Sequence, residues 1–378
     1  MTKWINLIPI NMKYRLFLMI VAISCTSAFA QRIQVVDTDG LPIPAVCVTD
    51  ENGVLVGTTD NDGWLDDAKG KSPLYFSHTA FKSKNLYLSD IVNSRVVLED
   101  VSYDLAEVTV KPKELLYVQT YFRCIYVCDD GPIYFRAGVI DNTYEYAKKK
   151  LSAKTKSVSK GANGLYRFIL STLVGRYIDD WAKLDTTSIY KKVTRLADKG
   201  KLTISSDTSG RRIVSDSVSA LGFIEEDMNT RFRTTSFDQF TYSDRIKVAK
   251  ELEKSKKKGK EPKEKKKRYR EGEHGYYEIC RFNDDGYSGI GDMIMKQVLS
   301  KGHFERTDQE YIILLETFTT EIDYIDKKEF KQTRKENEVD MNIVELRQFE
   351  QAHNIPELAP NLKAAVDKLF EKELKKNK

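Results

Sequence analysis

From residue 32 to residue 110 the apolar positions fall in short runs, at 32–37, 45–49, 54–59, 73–78, 95–98 and 106–110. Polar stretches separate them, and three carry Asp39-Gly40, Asn52-Gly53 and Asp62-Gly63. Asx-Gly pairs supply the positive φ angles that tight turns need, so these runs predict strands. Pro42 and Pro44 bracket Ile43 and suit an edge or a bend, because proline cannot donate to a ladder. Several short strands at this spacing predict a β-sandwich over residues 31–111.

The pattern changes after residue 115. From 116 to 128 the even positions are Leu, Val, Thr, Phe, Cys, Tyr and Cys, an alternation that predicts a strand with one buried face. Asp129-Asp130-Gly131 predicts a turn into a strand at 132–135. Leu165, Tyr166, Ile169, Leu170, Leu173, Tyr177 and Trp181 recur at helical spacing and predict a helix over 163–184. Further strands are predicted at 201–205, 211–216, 275–282, 292–299 and 310–324, with a short helix near 243–253. Asp326 followed by Glu329 has the spacing of a capping box, and Leu362, Val366, Leu369 and Phe370 mark a terminal helix. Residues 115–378 are therefore predicted to form an α+β domain with a largely antiparallel sheet. The most apolar stretch, Phe168 to Val174, lies between Arg167 and Arg176 and is too short for a membrane span, so none is expected in the mature chain.

The first region resembles a known family. Val35-Val36-Asp37, Gly40, Pro42-Ile43-Pro44-Ala45 and the run Gly57 to Trp64 are similar to the carboxypeptidase-like regulatory domain, and Leu74-Tyr75-Phe76-Ser77 and Leu105 to Val110 continue the pattern. The resemblance implies a transthyretin-like, seven-stranded sandwich. Such domains are common in Gram-negative envelope proteins, including the N-terminal extension of TonB-dependent receptors, and are accessory to a catalytic unit. A 22-stranded receptor barrel at about 10 residues per strand does not fit this length. The sequence departs from the family at His78-Thr79-Ala80-Phe81, where a glycine is usual in place of Ala80. The tail at Ile355-Pro356-Glu357-Leu358 resembles secreted proteins carrying the same first domain and implies no activity.

Residues 1–30 read as a cleavable secretory signal: Lys3, Lys13 and Arg15, then the apolar run Leu16 to Ile23, then Ala28-Phe29-Ala30 before Gln31. Lipidation at Cys25 is the alternative, but no leucine stands three residues before it. Cleavage after Ala30 leaves Cys47, Cys124, Cys128 and Cys280, which form no readable disulfide framework. On one strand Cys124 and Cys128 would lie about 13 Å apart, too far to bridge. They are expected to pack as small apolar residues.

Charge is concentrated in one place. The whole chain carries +5, of which the signal holds three cations and no acid, leaving +2. Residues 250 to 270 alone carry +8, so the rest of the mature chain is near −6. The segment 250–271 has almost no large apolar residue and reads as a flexible Lys-rich insertion. Tyr269 is its one aromatic residue, so base stacking is unsupported and no nucleic-acid partner is expected. An anionic lipid or polysaccharide surface suits it better.

Motifs for chemistry are few. His78, His274, His303 and His353 are scattered, without the paired spacing of a zinc site. In Asp60-Asn61-Asp62-Gly63 a calcium-loop register would put Lys69 where a carboxylate is needed, so a turn is expected, although Asp66 and Asp67 stand nearby. There is no Gly-x-Ser-x-Gly elbow, and Gly161-Ala162-Asn163-Gly164 lacks the lysine of a phosphate loop and reads as the opening of a helix. Glu316 falls in the apolar row of the strand 310–324; buried, it would mark a site, but a bulge or register shift that exposes it is the favoured expectation. No catalytic, metal-binding or cofactor-binding residue is assigned and no cofactor is expected. The chain is thus expected to be an exported, non-catalytic protein of the periplasm or outer membrane, with a binding or assembly role and an envelope protein, lipid or polysaccharide as partner. The alternative is a hydrolase of envelope or glycan material with a site in 115–378. A structural module of a surface assembly, with a large exposed apolar patch, is a third possibility.

Overall fold

The structure, a computed structural model, describes residues 32–66, 68, 72–101, 114–128, 131–162, 178, 181–208, 210–239, 241–243, 245–246, 249–250, 253, 274–284, 286, 288–304, 309–333 and 339–371. The signal, the strand predicted at 106–110, most of the helix predicted at 163–184, the turn residues Asp129 and Asp130 and nearly all of 250–271 lie outside these residues.

Among the described residues the first unit has seven strands: β1 (Ile33–Val36), β2 (Cys47–Thr49), β3 (Leu55–Thr58), β4 (Trp64–Leu65), β5 (Leu74–His78), β6 (Phe81–Leu86) and β7 (Arg95–Val97). They form a three-stranded sheet, β4-β1-β7, and a four-stranded sheet, β3-β2-β5-β6. The Asx-Gly turns are where the pattern puts them, with Gly40, Gly53 and Gly63 at φ 83°, 75° and 71°. At Gly63 a Cβ would come within 2.5 Å of the Val35 carbonyl oxygen, so close approach as well as φ demands glycine there.

The rest of the chain builds one eleven-stranded sheet. In chain order its members are β8 (Leu115–Cys128), β9 (Gly131–Glu145), β10 (Lys150–Ala162), β11 (Thr203–Ser206), β12 (Arg212–Ser215), β13 (Ala220–Asp227), β14 (Phe232–Asp238), β15 (His274–Arg281), β16 (Met293–Phe304), β17 (Gln309–Ile325) and β18 (Val339–Asp340). The spatial order is β11-β12-β13-β14-β15-β16-β17-β8-β9-β10-β18, and every pairing is antiparallel except that of β10 with β18. Four helices are described in full beside it, α1 (Ile189–Asp198), α2 (Lys327–Thr333), α3 (Ile343–Ala352) and α4 (Pro360–Leu369), and the described residues at 239, 241–243, 245–246, 249–250 and 253 are also helical, where a short helix is predicted near 243–253. The protein is thus mostly antiparallel β-sheet with a few helices.

Both faces of the large sheet are covered. On one face Tyr121, Ile125, Phe135, Tyr277 and Phe318 share a core with the first unit and with Ile343, Leu346, Leu362 and Val366 of α3 and α4. On the other, Phe122, Cys124, Ile313 and Leu315 pack with Ile178 and Ala182, and Ile189 and Val193 of α1 pack over β12 to β14. This corrects the expectation that 116–128 buries one face. The odd positions Tyr117, Tyr121, Arg123, Ile125 and Val127 are buried as well, because the first unit and the C-terminal helices lie on them.

Other expectations change too. Gly161 and Ala162 end strand β10, and Asn163 and Gly164 lie outside the described residues; a Cβ on Gly161 would meet the Phe370 ring at 2.6 Å. The strand predicted at 132–135 runs on to Glu145, and β4, β6, β10, β13, β14, β18, α1 and α3 had no counterpart in the predicted elements. The helix after Asp326 is present, with the Lys327 amide donating to Glu114 at 3.1 Å. All four described cysteines are buried free thiols.

Candidate binding cleft at the junction of the first unit and the sheet

A row of cross-strand partners crosses the covered face: Tyr277 on β15, Gln297 on β16, Glu316 on β17 and Arg123 on β8. Glu316 is 4% exposed, so the expected exposure fails. A bulge does occur in β17, but between Thr319 and Glu321, beyond Glu316. It turns Ile322 and Tyr324 to the opposite face and leaves Glu316 in the buried row.

A buried carboxylate needs partners, and Glu316 has them. It pairs with Arg123 Nε and accepts from the Thr79 hydroxyl at 2.6 Å. The Thr79 amide donates to Gln297 Oε1 at 3.2 Å, and Gln297 donates in turn to the Ala45 carbonyl at 3.4 Å. The Arg123 guanidinium reaches Glu350 of α3 at 3.4 Å and the Pro356 carbonyl at 2.7 Å. Burial opposes the charge on Arg123, but Glu316 and Glu350 outweigh it and hold the pKa above its ordinary value. Burial likewise opposes ionisation of Glu350, yet Arg123 and Arg347 hold that carboxyl below the usual range. Cys47, next to this network, has its thiol pushed up to about 12 by burial and then by Glu316, so it carries no thiolate chemistry.

Thr79 belongs to the segment His78-Thr79-Ala80-Phe81. That hairpin between β5 and β6 meets the sheet face, as do Ala45 and Leu55, which pack against Leu299, Ile312 and Leu314. His78 lies between Phe81 and Tyr277, at ring distances of 5.2 and 4.6 Å. Its Nδ1 accepts from the Ala80 amide at 3.2 Å, which puts the proton on Nε2, and Nε2 is buried without a partner. Burial pushes this imidazole down to about 3.

Beside this polar tie the two parts diverge and leave a cleft of about 510 Å³. Five carboxylates line it: Asp37, Asp39, Asp100, Glu225 and Asp227. Its apolar walls are Phe81, Phe223, Phe232 and Tyr277. Local turn chemistry places the acids. Asp37 Oδ1 accepts from the amides of Asp39 at 3.0 Å and Leu41 at 2.7 Å, closing the turn that Gly40 permits. Asp227 ends β13 and accepts from the Asn229 amide at 2.8 Å and the Thr230 hydroxyl at 2.7 Å. Those bonds, the hydroxyl first, hold Asp227 below the usual carboxylate range. Desolvation raises Asp100, and the charges of Asp37, Glu225 and Asp39 add to it.

Among the described residues one cation lines the cleft. Arg211 is 7% exposed and lies 3.9 Å over the Phe223 ring. It binds Glu225 at 2.8 Å on the sheet side, and Asp37 at 3.6 Å and the Pro42 carbonyl at 3.4 Å on the other. Five acids against one guanidinium leave the cleft net negative. Chemically, it is fitted to hold a cation flanked by apolar surface.

The sequence candidates are otherwise dispersed. His353 stacks on Phe349 at the end of α3, while His274 and His303 lie on β15 and β16. Among the described residues no three His, Cys, Asp or Glu side chains are grouped to hold a metal. Asp60 accepts from the amides of Asp62 at 3.0 Å and Trp64 at 2.8 Å, the bonding of a turn, and Asp66 pairs with Arg32 at 2.8 Å. No described helix is long and apolar enough to cross a membrane. No family model matches the chain, and no curated protein matches it.

Proposed function

We propose that the chain is an exported, non-catalytic binding protein of the periplasm or outer membrane, whose junction cleft holds a basic side chain and its apolar neighbours on a peptide segment of an envelope partner. The observation that carries this reading is the junction cleft itself, five carboxylates against one arginine between aromatic walls. At an effective dielectric constant near 20, a cation about 4 Å from one carboxylate gains about 4 kcal/mol before desolvation is counted. The rings supply the apolar contact that a bare acidic surface lacks.

The compartment rests on the first thirty residues. The finer fold reading, a transthyretin-like regulatory sandwich on an α+β domain, rests on the motif resemblance, with seven strands in two small sheets consistent with it. The test is calorimetric titration of the full chain with a short peptide alternating arginine and aromatic residues. Binding should weaken with salt, strengthen as pH rises through the Asp100 carboxyl, and fall at least tenfold in Glu225→Gln/Asp227→Asn. Equal affinity for a neutral peptide of the same apolar content defeats the reading. Cell fractionation tests the compartment: unprocessed chain in the cytosol defeats it.

One observation favours a second reading, a glycan hydrolase. Asp100 has a carboxyl raised by burial and by the nearby charges of Asp37, Glu225 and Asp39, as general acid chemistry requires. Release of reducing ends from envelope glycans, lost in Asp100→Asn, would favour it over simple binding.

A further inference from the structure

The opposite face of the sheet carries a second cavity, formed without the first unit. It encloses about 350 Å³ beneath the segment that leads into α1, and Trp181, Lys183, Asp185, Lys192, Tyr276 and Lys296 line it. Lys296 projects from β16 at its floor and is 8% exposed. Its cross-strand partner is Glu278 on β15, 6% exposed. Glu278 is engaged elsewhere: it accepts from the Ile189 amide at the start of α1, at 2.8 Å. Among the described residues no carboxylate lies within 4.0 Å of the Lys296 ammonium. Its hydrogen bond is to the Trp181 carbonyl, at 3.3 Å.

An ammonium has three donors. One acceptor leaves two in a cavity whose lining carboxylate, Asp185, is paired with Lys192, and burial holds Lys296 below the usual ammonium range against the pull of Glu278 and Asp185. At the mouth Lys192 pairs with Asp185 at 2.8 Å and lies 5.7 Å over the Tyr276 ring, so a second cation stands above the first. The volume suits a small organic molecule.

We propose that this cavity binds a small organic carboxylate, with the carboxylate on Lys296, Lys192 closing over it, and the ring or chain of the ligand against Trp181 and Tyr276. A buried, under-satisfied ammonium gains most from an incoming anion, because charge-assisted bonds strengthen where water is excluded. The site is independent of the junction cleft and of any ligand bound there.

The experiment titrates the full chain with benzoate and glucuronate, and with the neutral counterparts benzamide and glucose. The acids should bind at least tenfold more tightly than their neutral partners. Lys296→Met should abolish that difference, and Lys192→Gln should reduce it a few-fold. Because a core substitution can disturb folding, acylation of Lys296 in the unaltered protein is followed by peptide mass mapping, and millimolar benzoate or glucuronate should protect it. Inorganic phosphate is run alongside; protection by phosphate alone would replace the carboxylate with another oxyanion and overturn the assignment. So would equal binding of acid and neutral analogue, carboxylate binding unchanged in Lys296→Met, or no protection by either acid.

Discussion

Acid should loosen the tie between the first unit and the sheet through His78. The imidazole is buried as the neutral form, with its pKa pushed from 6.5 to about 3 by desolvation. In the unfolded chain it titrates at its ordinary value, so between those limits the unfolded state binds one more proton. Stability is therefore fully present above pH 6.5 and declines as pH falls, at about 1.4 kcal/mol per unit. The loss reaches about 3 kcal/mol at pH 4.5 and about 4 kcal/mol at pH 3 from this one side chain. The control is His78→Phe, which keeps a ring between Phe81 and Tyr277 and removes the unpartnered Nε2 donor. Urea unfolding of both proteins is followed from pH 7.5 to about pH 3.5, and the difference in stability is plotted against pH. Carboxylates such as Glu350 titrate in both proteins and cancel. If undocking of the first unit precedes global unfolding, the same proton uptake belongs to the first transition. Curves that stay parallel below pH 6.5 would refute the reasoning, since the imidazole would then already be protonated, or solvated, in the folded state.

Three other outcomes are expected. Arg123→Met leaves Glu316 and Glu350 facing each other without their shared cation and should cost about 3–5 kcal/mol by urea unfolding, whereas Arg123→Met/Glu316→Gln should recover part of it. Gly161→Ala drives a methyl into the Phe370 ring and should cost about 1–3 kcal/mol, with partial rescue by Phe370→Leu, read as shifts in thermal midpoint. Asn342 accepts from the amides of Val344 and Glu345 at the start of α3, so Asn342→Ala should cost about 1 kcal/mol, while Glu345→Gln, which keeps an acceptor in the capping box, should cost less.

Local signals were read well from the sequence. The Asx-Gly turns and the alternation at 116–128 are short-range chemistry, and the structure places both where the pattern does. What covers a strand is not local, so the odd face of β8 could not be seen to be buried. The polar strands escaped for the same reason. In β10 the sequence Lys-Leu-Ser-Ala-Lys-Thr-Lys-Ser has little apolar signal, and β13 carries Gly222 in its interior. There a Cβ would lie 2.1 Å from the Ser236 carbonyl oxygen, so a residue that looks like a break is required by close strand packing. α1 had a readable signal in Ser188 and the spacing of Ile189, Val193 and Leu196. The place of Glu316 in the apolar row was legible, but the favoured expectation of exposure was wrong, because burial depended on where the bulge fell, which the sequence leaves open by a few residues. The acidic cleft had no signature at all, because its carboxylates come from positions near 37, 100 and 225 that only the docking of the first unit brings together.

The margins of the large sheet decide how copies of this chain can meet. One margin is β11, four residues long; the other is β10, bridged by β18 over Ser157 and Val158 alone. Its remaining outer hydrogen-bonding row, unpaired among the described residues, would be a template for a neighbour's strand. Lysines at 150, 154 and 160 stand along that strand, and two such rims brought side by side would face cation with cation. Lateral accretion of one molecule onto another is therefore opposed at the place where the backbone would most invite it.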